Sequence, residues 1–155
     1  MKALLFADYL ERLTSLHDEL KTAVHDLPPV ALDWQPGPDM NSFNILITHT
    51  ARSERYWIGD MIGRDPSGRV RAQEFETTGL TAVSLTTLLD ETLAHSRSVL
   101  ETITLADLDK AYESALHNGR SFRVAWSLAH NLEHVAIHLG HVQILRQLWD
   151  QQAAN

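Results

Sequence analysis

Four histidines with ring nitrogens able to bind a metal ion lie at helical spacing near the end of this chain. They are His130, His134, His138 and His141. Spacings of four, four and three place them on one side of an α-helix. A line of leucines and valines runs beside them, so we expect the rings to point into an interior. Buried imidazoles need polar partners, and two histidines four residues apart on a helix are well placed to hold one ion.

His134 and His138 are the stronger candidates for ligands. A single histidine on an apolar helix face is more often a hydrogen-bonded core residue. Four in a row cannot all find backbone partners, because the carbonyls of a helix are already bonded. His130 and His141 are explained equally well as residues at the rim of a site, and His141 also as a proton shuttle or a hydrogen-bond donor behind the ligands.

A third ligand should come from another helix, and His49 is the candidate. It lies seven residues after Ser42, as His134 lies seven after Ser127, so both are near the middle of their predicted helices. Spacing alone leaves open whether His49 is a ligand or a core histidine. The remaining histidines are expected in solvent or, for the last, in a turn: His17, His25, His95 and His117.

Composition narrows the function. The formal charge of −7 and the scattered basic residues argue against a nucleic-acid partner. Cysteine is absent, which excludes disulfides, thiolate ligands and a cysteine nucleophile, so any metal must be held by nitrogen and oxygen donors. The opening residues, MKALLFADYLERL, are too polar for a signal peptide or a membrane span, so we expect a cytoplasmic protein.

Apolar periodicity predicts four long helices. The first carries its apolar residues from Phe6 to Leu27 and ends at Pro28-Pro29. The others run from Asn41 or Ser42 to about Met61, from a Ser84 cap to about Ile103, and from about Ser127 to Trp149. We expect one domain spanning residues 1–155, an all-α four-helix bundle.

Two connections are long, 62–83 and 104–125, so neighbouring helices are able to run parallel. The second connection carries a short helical turn at Leu105–Asp109 and an extended segment before His117-Asn118-Gly119, which together indicate a small hairpin.

The sequence lacks the residues that several classes of enzyme require. A HExxH protease needs Glu after the first histidine, where this chain has Val135. Repeated Glu-x-x-His pairs and a G-x-S-x-G elbow are also absent, which argues against a di-iron bundle and a serine hydrolase.

A set of imidazole ligands suits Zn, Ni, Fe or Cu more than Mg or Ca. Glu54 or Glu133 could orient an imidazole, and Arg120 and Arg123 could attract an acidic substrate, although all four are also typical of solvated surface.

Two segments together resemble the DinB/YfiT superfamily, and most closely its branch that includes mycothiol-dependent maleylpyruvate isomerase. They are WQPGPDMNSFNILITHTARSERYWIGD and WSLAHNLEHVAIHLGHVQILRQLWD. The matching positions are Trp34, Pro36, Asn41, Ser42, His49, His134, His138, Gly140 and His141. The resemblance implies a four-helix bundle with two parallel crossovers, and a divalent metal held by His49, His134 and His138.

The isomerase branch tends to have Glu where this chain has His134, which weakens transfer of that reaction. The resemblance implies a metal-dependent enzyme on a small molecule, a thiol-dependent transferase or isomerase, with a hydrolase as the next hypothesis. A non-catalytic metal-binding stress protein and a metal-free bundle remain alternatives. A homodimer is expected from Trp57, Trp149 and the many leucines.

Overall fold

The computed structural model of the protein describes residues 4–154 and contains a bundle of four long helices, as predicted. The long helices are α1 (Leu4–Val24), α3 (Phe43–Glu54), α5 (Ala82–Leu100) and α6 (Val124–Ala153). Two one-turn helices, α2 (Pro29–Leu32) and α4 (Arg71–Glu74), lie in the connections. No helix in the described range is long and apolar enough to cross a membrane.

Local hydrogen bonds set the helix starts, and two of the predicted starts are three residues late. Ser42 caps α3 as expected, accepting from the Ile45 amide at 3.3 Å. The cap of α5 is Thr81, not Ser84, because the Thr81 hydroxyl accepts from the Ser84 amide at 3.1 Å. The last helix starts at Val124, directly after a β-strand, so Ser127 is a buried residue inside it.

Contacts between helices establish their directions. Tyr9 hydrogen-bonds to Leu128 and Arg146 to Ala23, so α1 and α6 run parallel. The side chain of Asn44 reaches the Leu80 carbonyl and Ser96 reaches Glu54, so α3 and α5 also run parallel. The apolar face of α1 packs against α5 and α6, and α3 packs against the same two helices.

Only one of the two long connections crosses the length of the bundle, so the implied pair of parallel crossovers is wrong. Residues 63–81 join the parallel helices α3 and α5 and must travel back along them; we call this segment the crossover. The connection 101–123 begins and ends at one end of the bundle, where Leu100 and Val124 share an apolar cluster. The crossover is the segment that brings new side chains to the middle of α3.

The second connection contains the predicted hairpin. Strand β1 (Ala111–Ser114) pairs antiparallel with β2 (Arg120–Arg123). Asn118 and Gly119 both have positive φ, the left-handed conformation that asparagine and glycine tolerate best. The predicted helical turn nearby is a 3₁₀ turn, Leu105–Asp107.

A π-helical segment, Arg55–Ile62, continues α3 towards the crossover. The Arg55 side chain lies over Gly59, where a Cβ would force it to move. Arg55 donates to Asp60 at 3.0 Å and to Asp65 at 2.7 Å. Asp60 accepts in turn from the backbone and hydroxyl of Ser67. These bonds fix the start of the crossover against the helix that it leaves.

The core contains one residue that we expected in solvent. His17 is fully buried, and its Nε2 lies 2.7 Å from Glu54, which also accepts from Ser96. The contact joins α1 to α3 across the bundle. We expected His17 in solvent because charged residues adjoin it in sequence. It instead shares a helix face with Leu13, Leu16 and Leu20, which are also buried.

Candidate metal centre

Three imidazoles from two antiparallel helices meet at one point. The Nε2 atom of His49 on α3 lies 3.1 Å from that of His134 on α6. The Nε2 atom of His138, one turn further along α6, lies 3.2 Å from the same His134 atom. All three candidate ligand atoms lie within 4.8 Å of one another. The geometry brings together the three residues that the sequence singled out.

These distances suit one shared ion. Two nitrogen ligands at about 2.0–2.1 Å from a tetrahedral ion are roughly 3.3 Å apart, close to the spacings seen here. A neutral imidazole carries one N–H, so three facing Nε2 atoms cannot all be joined by hydrogen bonds between themselves. The His triad can therefore hold a metal ion.

A buried carboxylate orients one of the three rings. Nδ1 of His49 lies 2.8 Å from Glu74, the last residue of α4 in the crossover. Glu74 is clamped by Arg69, whose Nε and Nη2 donate at 2.6 and 2.9 Å. With Nδ1–H donating to the carboxylate, the lone pair of His49 is on Nε2, the atom that faces the triad. Within the described range, the Nδ1 atoms of His134 and His138 have no such partner.

The surroundings keep the rings of α6 neutral. Burial, followed by the neighbouring rings of His138 and His49, lowers the pKa of His134 to about 3. Burial and the His49 ring likewise lower the pKa of His138 to about 4. The neutral form is the one that binds metal.

The charge of Glu74 is maintained by its partners. Burial by itself raises a carboxyl pKa, but hydrogen bonds from Arg69 and His49 outweigh it, and the pKa of Glu74 is lowered. An ionised Glu74 is an acceptor only, which enforces the donor role of His49 Nδ1.

The sequence model of the DinB superfamily matches residues 12–142, which is most of the chain. The chain belongs to the DinB superfamily. Solved structures agree on the fold. A conserved protein from Enterococcus faecalis superposes with a TM-score of 0.78 at 15% identity, covering 96% of this chain and 97% of its own. No curated protein sequence matches.

Two further solved structures of similar fold carry functional descriptions of their own. YfiT from Bacillus subtilis, described as a probable metal-dependent hydrolase with an unusual four-helix bundle topology, gives a TM-score of 0.76 at 14% identity over 97% of this chain and 90% of its own. A variant of mycothiol-dependent maleylpyruvate isomerase gives 0.65 at 13% identity over 86% of this chain. This chain spans 59% of the isomerase. At these identities the likeness establishes the DinB fold alone.

The outer two histidines of the row lie beside the triad and do not join it. The ring of His130 stacks on Trp126 at 4.7 Å and meets Trp57 edge-on at 4.8 Å. His141 is exposed, with its ring 5.3 Å from that of His138. The row is therefore partly open to solvent along α6, and only its middle reaches the buried ring of His49. Of the other histidines, His25 is exposed, as expected, and His117 lies in the hairpin turn.

Sequence reasoning missed the carboxylate of the site. Glu54, which we considered for orienting an imidazole, holds His17 instead, and Glu133 is exposed beside His130. Glu74 is 25 residues from its histidine in sequence, within a segment with no periodic signal. The only hint in the sequence is a group of three arginines in the same segment, Arg64, Arg69 and Arg71. Arg120 and Arg123 are exposed on the hairpin, where Arg120 lies over the Phe122 ring at 4.8 Å.

Proposed function

We propose that this DinB protein binds one divalent transition metal ion through His49, His134 and His138 and acts as a metal-dependent enzyme on a small molecule. The observation that carries the proposal is the meeting of three Nε2 atoms in front of a buried carboxylate. Zn, Ni and Fe fit an all-imidazole donor set; the geometry does not select among them. With only three protein ligands, positions remain for substrate.

The chain's residues bind and orient; the metal would supply the Lewis acid. A bound ion polarises a carbonyl or binds a thiolate. Glu74 holds the His49 ring in one tautomer, and Arg69 holds Glu74. Burial around His134 and His138 favours their neutral forms and so keeps protons from competing for the ligand atoms.

Within the proposal, a thiol-dependent transferase or isomerase is favoured over a hydrolase. Glu74 is not available as a base for a hydrolytic water, because both of its oxygens already accept from Arg69 and His49. The chain has no cysteine, so the thiol is a low-molecular-weight cosubstrate. The likeness to the mycothiol-dependent isomerase supports this candidate, and that to YfiT supports the hydrolase.

Metal analysis is the first test. Untagged protein, purified without chelator and dialysed against each metal, should retain close to one ion per chain. Metal contents well below one ion per chain under all conditions would contradict both the enzyme and the non-catalytic metal-binding alternative, and would support a metal-free bundle.

Turnover separates the two metal-binding hypotheses. Loaded protein should convert an electrophilic substrate only when bacillithiol, mycothiol or glutathione is present, and His138→Ala should not. A transferase consumes the thiol, whereas an isomerase regenerates it. Hydrolysis of ester or amide substrates without thiol would favour the hydrolase. Metal binding without any turnover would favour the non-catalytic protein.

A single domain over residues 1–155, a cytoplasmic location and a homodimer complete the proposal. The tryptophans that suggested a dimer are covered within the chain: Trp57 is buried, and Trp149 packs edge-on against Trp34 at 5.5 Å. The dimer now rests on exposed Ile137 and Ile144 on α6. Light scattering at micromolar concentration should give twice the chain mass, and a monomer mass would contradict it.

A further inference from the structure

A pocket of about 310 Å³ lies between α3 and the crossover. Thr48 and Arg52 line it from α3, and Ser67, Arg69, Gln73 and Glu74 line it from the crossover. One wall of the pocket is the Arg69–Glu74 pair, the same pair that orients the His49 ring. Its volume is within the range of small-molecule sites.

The charge of this pocket is opposite to that of the chain. Two arginines and one glutamate line it, which leaves one net positive charge, whereas the whole chain carries −7. The carboxylate of Glu74 is saturated by Arg69 and His49. Arg52 is exposed, and its guanidinium makes no hydrogen bond or ion pair with any other residue of the described range 4–154.

A buried hydroxyl in the wall also lacks a partner. Thr48 is 8% exposed, and its Oγ1 has no hydrogen-bond partner among the described residues. Thr50, two residues later on the same helix, returns its hydroxyl to the Leu46 carbonyl at 2.7 Å. Buried hydroxyls are nearly always hydrogen-bonded, so the unpaired Thr48 hydroxyl is available as a donor to a group bound at this wall of the pocket.

We propose that this pocket binds a small oxyanion, a carboxylate or a phosphate, through the Arg52 guanidinium and the Thr48 hydroxyl. Arginine matches the geometry of both groups, because its planar fork donates two parallel hydrogen bonds. The side-chain amide of Gln73 is a third donor in the lining. The site is distinct from the His triad, since the hydrogen-bonded Glu74 lies between the pocket and His49.

Titration of the full chain with inorganic phosphate and with acetate tests the proposal. It is done at low salt after treatment with a chelator, so that metal-bound anion cannot contribute and the result is independent of the metal proposal. Saturable one-to-one binding of at least one anion is expected. The anion that binds more tightly shows whether the pocket prefers a phosphate or a carboxylate group.

Two variants and a charge-matched control locate the site. Arg52→Gln should raise the dissociation constant of the anion about tenfold or more, since it removes a charge-assisted hydrogen bond. Arg52 is exposed, so the substitution should not impair folding. Thr48→Val, of the same shape, should weaken it several-fold. Arg12→Gln removes the same charge from an exposed position on α1 and should change nothing. No saturable binding by the parent, or equal weakening by Arg52→Gln and Arg12→Gln, would overturn the proposal.

Discussion

Two buried histidine–glutamate pairs in this protein have nearly the same geometry and different neighbours. In the core, His17 lies 2.7 Å from Glu54, whose other oxygen accepts from Ser96 at 2.6 Å. In the candidate metal centre, His49 lies 2.8 Å from Glu74, whose oxygens also accept from Arg69. Both glutamates use both oxygens, and all four residues of the two pairs are buried.

The pairs differ in what the second ring nitrogen meets. Nδ1 of His17 has no hydrogen-bond partner among residues 4–154 and is enclosed by the core. Nε2 of His49 faces the Nε2 of His134 at 3.1 Å. A carboxylate beside a histidine therefore does not identify a metal site. His17 and Glu54, with Ser96, join three helices. Glu74 instead orients His49 so that the lone pair on its Nε2 faces two further imidazoles.

Glu54→Ala should have the largest effect, and on stability alone. It leaves His17 and Ser96 buried without their partner, which costs about 3–5 kcal/mol when one member of a buried pair is removed. Urea denaturation measures the loss. Glu54→Gln, which can still accept from Ser96, should cost less and should bind metal like the parent. An unchanged unfolding midpoint for Glu54→Ala would show that the core pair does not hold the bundle.

His138→Ala should weaken metal binding and leave the stability of the metal-free bundle nearly unchanged. Zinc sites in proteins contribute roughly 10 kcal/mol or more, so loss of one of three ligands should weaken metal affinity by more than about 100-fold. Competition with a chromophoric chelator measures it. The matched control is His95→Ala, since His95 is bonded to Asp65 on another side of the bundle. Equal affinity for both variants would exclude the triad as the site.

Glu74→Ala should produce a smaller loss of affinity than removal of a ligand. Partners that orient a ligand typically contribute 10–100-fold, and here the loss frees the His49 ring to rotate and to change tautomer. Glu76→Ala, two residues away and exposed, is the control for the charge. If Glu74→Ala binds metal as tightly as Glu76→Ala does, then the second pair is structural like the first.

The pH dependence of the metal-free protein should be the mildest effect. Burial lowers the folded pKa of His134 to about 3 and of His138 to about 4, below the unfolded value of about 6.5. The unfolded chain therefore takes up protons first, and stability falls as pH drops from about 6.5 towards 4. Both rings are partly exposed, so solvent screens the shifts and the loss should be small. Full stability from these rings is present above pH 6.5.

Urea denaturation between pH 7 and 4.5, with chelator, measures this slope. The double substitution His134→Gln and His138→Gln should flatten it, and an unchanged slope would show that these rings do not titrate as described. With unperturbed imidazoles, metal affinity would begin to fall below about pH 6. Protons compete with the metal at these two rings only when the pH approaches 4.

Sequence alone determined the features that depend on local spacing. Apolar periodicity and the Ser42 cap predict the long helices to within a few residues, because helix formation is decided largely by side chains three and four positions apart. The same spacing places His134 and His138 one turn apart on one face, so two of the three proposed ligands lie within a single helix. His49 emerged as a candidate from its position in the middle of another helix.

Tertiary structure decided which residues the remaining polar groups would meet. Glu74 and His49 are 25 residues apart, and Glu54 and His17 are 37 apart, so no local pattern links either pair. The route of the crossover along α3 brings Glu74 to His49, and the packing of α1 against the bundle buries His17. Each pairing depends on which helices are neighbours and which way they run, and those are properties of the whole packed chain.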